Sequence, residues 1–167
     1  MGDRSLMSDP LLRFAMEHEQ ALAALDRLER AAAALAAGDP PEPHVRTVRE
    51  VQETLETAVR QHNDDEERAL FPLIAAELPC ASFQEEHVRL RELERRLERA
   101  LAGPHPERDV PPVARTLADL LRDHIRREDE MLFPAARELL GGEGLERVAS
   151  RLRAGAAGQE GPPPHRP

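Results

Sequence analysis

Six residues of this chain have the types and spacing to bind metal ions: His18, His62, Glu66, His87, His124 and Glu128. His62 and His124 are each followed four positions later by a glutamate, which sets imidazole and carboxylate on one helix face a turn apart. On a solvated face such a pair contributes only about 0.2–0.5 kcal/mol. Here it falls on stripes of Leu, Val and Phe, where an unpaired carboxylate costs several kcal/mol and a bound cation removes the difficulty. Of the other histidines, His44 stands at a predicted helix start, His105 between two prolines and His165 near the end of the chain. A lone core histidine is usually a hydrogen-bonded structural residue, but four of them, one per predicted helix, with two identically spaced glutamates, favour metal over a polar network.

Four imidazoles and two carboxylates are too many for one tetrahedral zinc and suit two first-row ions of five or six coordination. The simplest allocation gives His18 and His62 to one ion and His87 and His124 to the other, with Glu66 and Glu128 bridging. An oxo or hydroxo bridge and open positions complete the shells. Nitrogen and oxygen ligation without thiolate favours two non-haem irons, with manganese as the other candidate.

Four helices must position these groups. The first is predicted from Pro10 or Leu11 to Ala37, ended by Gly38-Asp39-Pro40-Pro41, and the second from about Pro43 to Ala69 and on past Phe71-Pro72. The third begins after Pro79-Cys80, with Ser82 and Glu85 read as a capping box, and runs to Gly103. The fourth opens near Pro111-Pro112 and closes at Gly141-Gly142. Each carries apolar residues at three- and four-residue intervals. Residues 10–140 are therefore expected to form an all-α, up-and-down antiparallel four-helix bundle, after an N-terminal segment at 1–9. Residues 141–167 are expected to hold a short helix over Leu145 to Leu152 and a Gly- and Pro-rich disordered tail from Gly155. His18 and His62 both lie 19 residues, about 28 Å, from the turn joining their helices, and His87 and His124 match to within about 3 Å, so one layer can hold all four. The segment from His62 to Pro72 also aligns with that from His124 to Pro134 without a gap, which predicts a helix pair used twice and an approximate two-fold axis.

The composition agrees. The apolar share is 40 % and aromatic residues are 2 %; Ala and Leu dominate and β-branched residues are few, which favours helix over strand. A net charge of −9 disfavours a nucleic-acid partner, because no basic excess is available to neutralise phosphates. No apolar run approaches the roughly 18 residues of a membrane span, and Met1 to Pro10 is not signal-like. The single cysteine, Cys80, is read as incidental and fits a reducing compartment, so a cytoplasmic protein with no membrane association is expected.

The pattern His18, His62-x3-Glu66, His87, His124-x3-Glu128, with both repeats running on to Phe-Pro, resembles the hemerythrin-like, or HHE cation-binding, domain over about residues 10–140. The resemblance implies a di-iron centre inside the bundle, bridged by two carboxylates and able to meet O2 or its reduction products. Oxygen-carrying members have a further histidine four residues after the third-helix ligand, where this chain has Arg91. That departure is similar to a bacterial subgroup with two histidines per metal, and favours handling of hydrogen peroxide, O2 or nitric oxide over stable oxygen carriage. A non-enzymatic O2, redox or iron sensor is the alternative. A small diatomic or peroxide ligand is the expected partner; no electron donor or protein partner is identified. A ferritin-like site fits less well, since that fold uses Glu-x2-His.

Around these residues, Glu17, Glu67, Glu86 and Asp129, each next to a ligand in sequence, are expected to face water, as is Glu56. Arg91 is expected either to pair with an acid at the site rim or to lie free on the surface. Phe14, Phe71, Phe83 and Phe133 are expected to pack the core and keep the centre dry.

Overall fold

Asp9 starts the first helix: its carboxylate accepts from the backbone N–H of Leu11 at 3.0 Å and of Leu12 at 3.3 Å, and Pro10 occupies the first helical position. Helix α1, Pro10–Ala37, ends at Gly38, whose φ of 86° is the left-handed conformation that glycine adopts without a steric penalty. Helix α2 covers residues 41–74, two residues earlier than predicted at its start, because Pro41 serves as a first-turn proline. Helix α3 is Cys80–Ala102. It has no side-chain cap: the helix begins two residues before Ser82, whose hydroxyl donates instead to the Pro79 carbonyl at 3.0 Å.

Helix α4 begins with Pro106–Arg127, five residues before the predicted start, and carries Pro111 and Pro112 inside it. These prolines strip hydrogen bonds only from the carbonyls of Glu107 and Arg108, whose residues are exposed to water at the end of the helix. The chain continues through Glu128–Leu132 into Phe133–Gln159 and breaks at Gly141, with φ 56° and ψ −169°. The portion beyond the break, residues 142–159, is a fifth helix, α5. It begins at once and extends past Gly155, so residues 155–159 of the expected tail are helical.

The computed structural model describes residues 9–159. The rest of the expected tail, and most of the expected N-terminal segment, lie outside the described residues. Among the described residues every regular element is a helix, and α1 to α4 form the four-helix bundle.

Among the described residues three turns are widened to π-helical form: Leu55–Val59 and Glu66–Leu70 in α2, and Glu128–Leu132 in α4. The last two start at the repeated glutamate and end just before Phe-Pro in both copies. A proline ring collides with the carbonyl four residues earlier in a regular helix, and a widened turn moves that carbonyl aside without ending the segment.

Two apolar cores result. One fills the half of the bundle around Leu25, Leu28, Val51, Leu97 and Leu117. The other gathers Leu11, Phe14, Leu70, Phe71, Phe83 and Phe133, closed by Val148 and Leu152 of α5. In all four helices one buried histidine falls between these two sets, and Glu66 and Glu128 join the four in one polar layer, whereas the buried Glu94 lies among the residues of the first core and pairs with Arg60 at 3.2 Å.

Candidate metal centre

The structure brings all six candidate ligands together, each at most 5 % exposed. Antiparallel neighbours pair their imidazoles: the Nε2 atoms of His18 and His62 lie 3.0 Å apart, and those of His87 and His124 3.2 Å apart. The glutamates span the pairs. Glu66 sets Oε1 3.6 Å from His62 Nε2 and Oε2 3.5 Å from His87 Nε2. Glu128 sets Oε2 3.1 Å from His18 Nε2 and Oε1 2.9 Å from His124 Nε2. Donor atoms of Glu66, His87, His124 and Glu128 fall within 4.8 Å of one another, as do those of His18, His62 and Glu128.

Each Nδ1 is engaged on the far side of its ring. His18 Nδ1 lies 2.8 Å from Asp129, His62 Nδ1 2.8 Å from Glu17, His87 Nδ1 2.7 Å from Glu67 and His124 Nδ1 2.8 Å from Glu86. A neutral imidazole that donates Nδ1–H to a carboxylate presents a bare lone pair at Nε2. The interior of the layer is then acceptor facing acceptor: four lone pairs against four carboxylate oxygens that are sealed from solvent and make no well-formed hydrogen bond. Bound cations resolve such an arrangement, and two ions with nitrogen and oxygen preference fit the donor set.

Protons show the same strain. Burial, reinforced by the neighbouring charge of Glu128, pushes the Glu66 carboxyl well above its ordinary range. Burial also works to raise Glu128, but the facing imidazoles of His124 and His18 overcome it and hold that carboxyl far below its ordinary range. Burial works against the charged forms of His18 and His124, yet Glu128 and their outer carboxylates raise both. His62 is lowered by burial and by the charge of His18, against the pull of Glu17.

The outer carboxylates overturn the expectation that Glu17, Glu67, Glu86 and Asp129 merely face water. A step of about 100° from a ligand turns a side chain away from its own ligand but toward the histidine of the next helix. The contacts run in a ring, with Glu17 of α1 on His62 of α2, Glu67 of α2 on His87 of α3, Glu86 of α3 on His124 of α4, and Asp129 of α4 on His18 of α1. The available signal was an acid adjacent to a ligand in all four helices. Arginines brace three of the four: Arg13 Nε lies 2.7 Å from Glu17, Arg91 3.9 Å from Glu67, and Arg127 pairs closely with Glu86. Arg91 thus takes the rim-pairing role. Glu56 lies at the bundle surface, half-buried, and accepts from Gln52.

All four phenylalanines of the chain pack on ligand rings, in a two-fold pattern. Phe133 stacks on His18 at 5.4 Å and Phe71 on His87 at 5.9 Å, while Phe14 meets His62 edge-on at 5.1 Å and Phe83 meets His124 edge-on at 5.6 Å. They hold each imidazole in one orientation and shield one end of the layer from water. Cys80 is buried nearby; burial, aided by the charge of Glu66, pushes its thiol up to about 11, so it is not a reactive thiolate at neutral pH.

Sequence comparison agrees with this geometry. The family model for the Hemerythrin HHE cation binding domain matches residues 9–136. A DNA nickase of Nostoc sp. is 31 % identical over 93 residues, which cover 56 % of this chain and 26 % of that protein, so the match spans about a quarter of the relative's length.

Proposed function

The chain belongs to the hemerythrin HHE cation-binding domain family, and from that premise we propose that it is a di-iron protein that handles hydrogen peroxide, with O2 and nitric oxide as other small ligands. The observation that carries this reading is the closed set of four Nε2 lone pairs and two spanning carboxylates, each imidazole fixed from behind by an acid. Iron held there would supply reversible one-electron changes at two neighbouring ions, enough together for a two-electron reaction. Disproportionation needs no external reductant: one peroxide is oxidised to O2, the other is reduced to water, and the two protons released by the first are taken up by the second.

The protein residues supply the rest. His18, His62, His87 and His124 bind through Nε2, Glu66 and Glu128 span the two positions, and the four phenylalanines exclude water. Arg91 stands where oxygen carriers have another histidine. A guanidinium remains protonated and is not a ligand, so a coordination position stays free for a small molecule. Manganese in place of iron would use the same donors. With 32 acidic against 23 basic side chains, nucleic acid is not among the proposed partners. No helix among the described residues is long and apolar enough to cross a membrane. A reducing cytoplasm suits the buried thiol.

The test is peroxide consumption by the iron-loaded protein, compared with the same iron in solution and with a Glu128→Ala variant. Faster turnover than free iron, lost in the variant, is expected. A reversible spectral change with O2 or reductant and no turnover would overturn the peroxide reading in favour of a sensor.

A further inference from the structure

The two repeats hold their outer acids by different means. Three residues after His124 stands Arg127, which pairs closely with Glu86, the acid behind His124. Three residues after His62 the same position holds Asp65, of opposite charge, and the acid behind His62 is Glu17. One acid cannot brace another, and the structure supplies the missing cation from α1. Arg13 donates from Nε to Glu17 at 2.7 Å and from Nη2 to Asp65 at 2.6 Å. A single guanidinium therefore bridges two carboxylates, using the fork geometry that a lysine lacks. Contacts run without a gap from Asp65 through Arg13 and Glu17 to Nδ1 of His62.

The two ends of this chain differ in how firmly they are held. Arg13 has a side chain 44 % exposed, and its pair with Glu17 is a surface contact four residues apart on one helix. Such a pair gains less than the rotamer freedom an ordered arginine gives up, so by itself it does not keep Arg13 in one place. Asp65 is 3 % exposed, and its other oxygen accepts from Gln61 Nε2 at 3.0 Å and pairs closely with Arg68. Arg68 in turn packs so closely on Gly155 of α5 that a Cβ there would collide with the guanidinium. A buried carboxylate keeps its cationic partners because losing one leaves an uncompensated charge. The fixed end of the chain is Asp65.

We propose that Asp65 is a positioning residue for the metal centre, holding Arg13 and, through Arg13 and Glu17, the ligand ring of His62. The assignment rests on the reading of His18 and His62 as ligands of one ion, and it is independent of the peroxide chemistry. It also accounts for the inverted charge at the repeated position: Arg127 acts on Glu86 directly, whereas Asp65 acts by recruiting an arginine from the neighbouring helix.

Nuclear magnetic resonance of the full-length protein loaded with zinc, a diamagnetic ion, tests this. His124 is the internal reference, because Arg127 braces its acid. Arg13→Gln at the surface and Asp65→Asn in the interior should each speed exchange of the His62 Nδ1–H with water about ten-fold and lower the affinity for at least one zinc ion about three-fold, while exchange at His124 stays within about two-fold. The double variant should match the single ones, since both cut the same route, whereas independent loosening of the fold would multiply the two effects. Equal acceleration at His62 and His124, no acceleration at His62 in Arg13→Gln, or multiplied effects in the double variant would overturn the positioning role. If zinc leaves the His18 and His62 resonances of the unsubstituted protein unshifted, the ligand assignment fails and the positioning role with it. If zinc shifts them and the substitutions do not act on His62, the positioning role alone fails.

Discussion

At His124 the two ring nitrogens have different partners, and that division defines the centre. Nδ1 faces Glu86 at 2.8 Å, which leaves Nε2 free to bind inward beside Glu128. Removing the outer acid should release the tautomer and lower the basicity of the ligand. Glu86→Ala is expected to weaken metal binding by roughly 10–100-fold, and Glu86→Gln, which keeps an acceptor but no charge, by less. Competition with a chelator of known affinity measures both, and unchanged affinity in both variants would remove the outer ring from the account. The inner ligands were legible in the sequence because a buried His-x3-Glu is costly without a cation and occurs twice. The outer acids were not, because a charged residue beside a ligand looks the same whether it meets water or the next helix.

At the level of elements, the widened turns at Glu66–Leu70 and Glu128–Leu132 connect the ligands to the aromatic shield. Each adds the residue that carries the helix past Phe-Pro and turns the ring toward a histidine of a neighbouring helix. Deleting Met131 should restore a regular helix and rotate Phe133 by about 100° away from His18. The stability loss expected is about 3 kcal/mol or more, comparable to truncating a buried phenylalanine, with faster loss of metal. Met131→Ala should stay within about 0.5 kcal/mol, since that side chain is 60 % exposed. Denaturant melts of the two variants provide the comparison, and equal stabilities would contradict the role given to the turn. Sequence periodicity located α1 closely, because Asp9-Pro10 and Gly38 are strong boundary signals. It misplaced the start of α4, because Pro111-Pro112 reads as a helix opening when the preceding turn, from Pro106, already supplies one.

For the whole molecule, the centre is a polar layer between two apolar cores, so metal and folding must be linked. The sign follows from the titrating groups. Glu66 is raised above 4.5, and His18 and His124 above 6.5, so at these three groups the metal-free folded protein holds its protons to higher pH than the unfolded chain does. Their stabilisation is complete below those ordinary values and is lost as pH rises through the raised ones. Glu128 and His62 shift the other way and oppose acid stability. Metal replaces the protons, so the gain in Tm on metal loading should widen from about pH 5 to pH 8; a gain independent of pH would contradict the linkage. The most direct test of the two-ion centre is anaerobic iron titration of the metal-free protein with elemental analysis. Binding should reach a plateau near two ions per chain and fall in Glu66→Ala, whereas a plateau at one ion that survives Glu66→Ala would contradict the account.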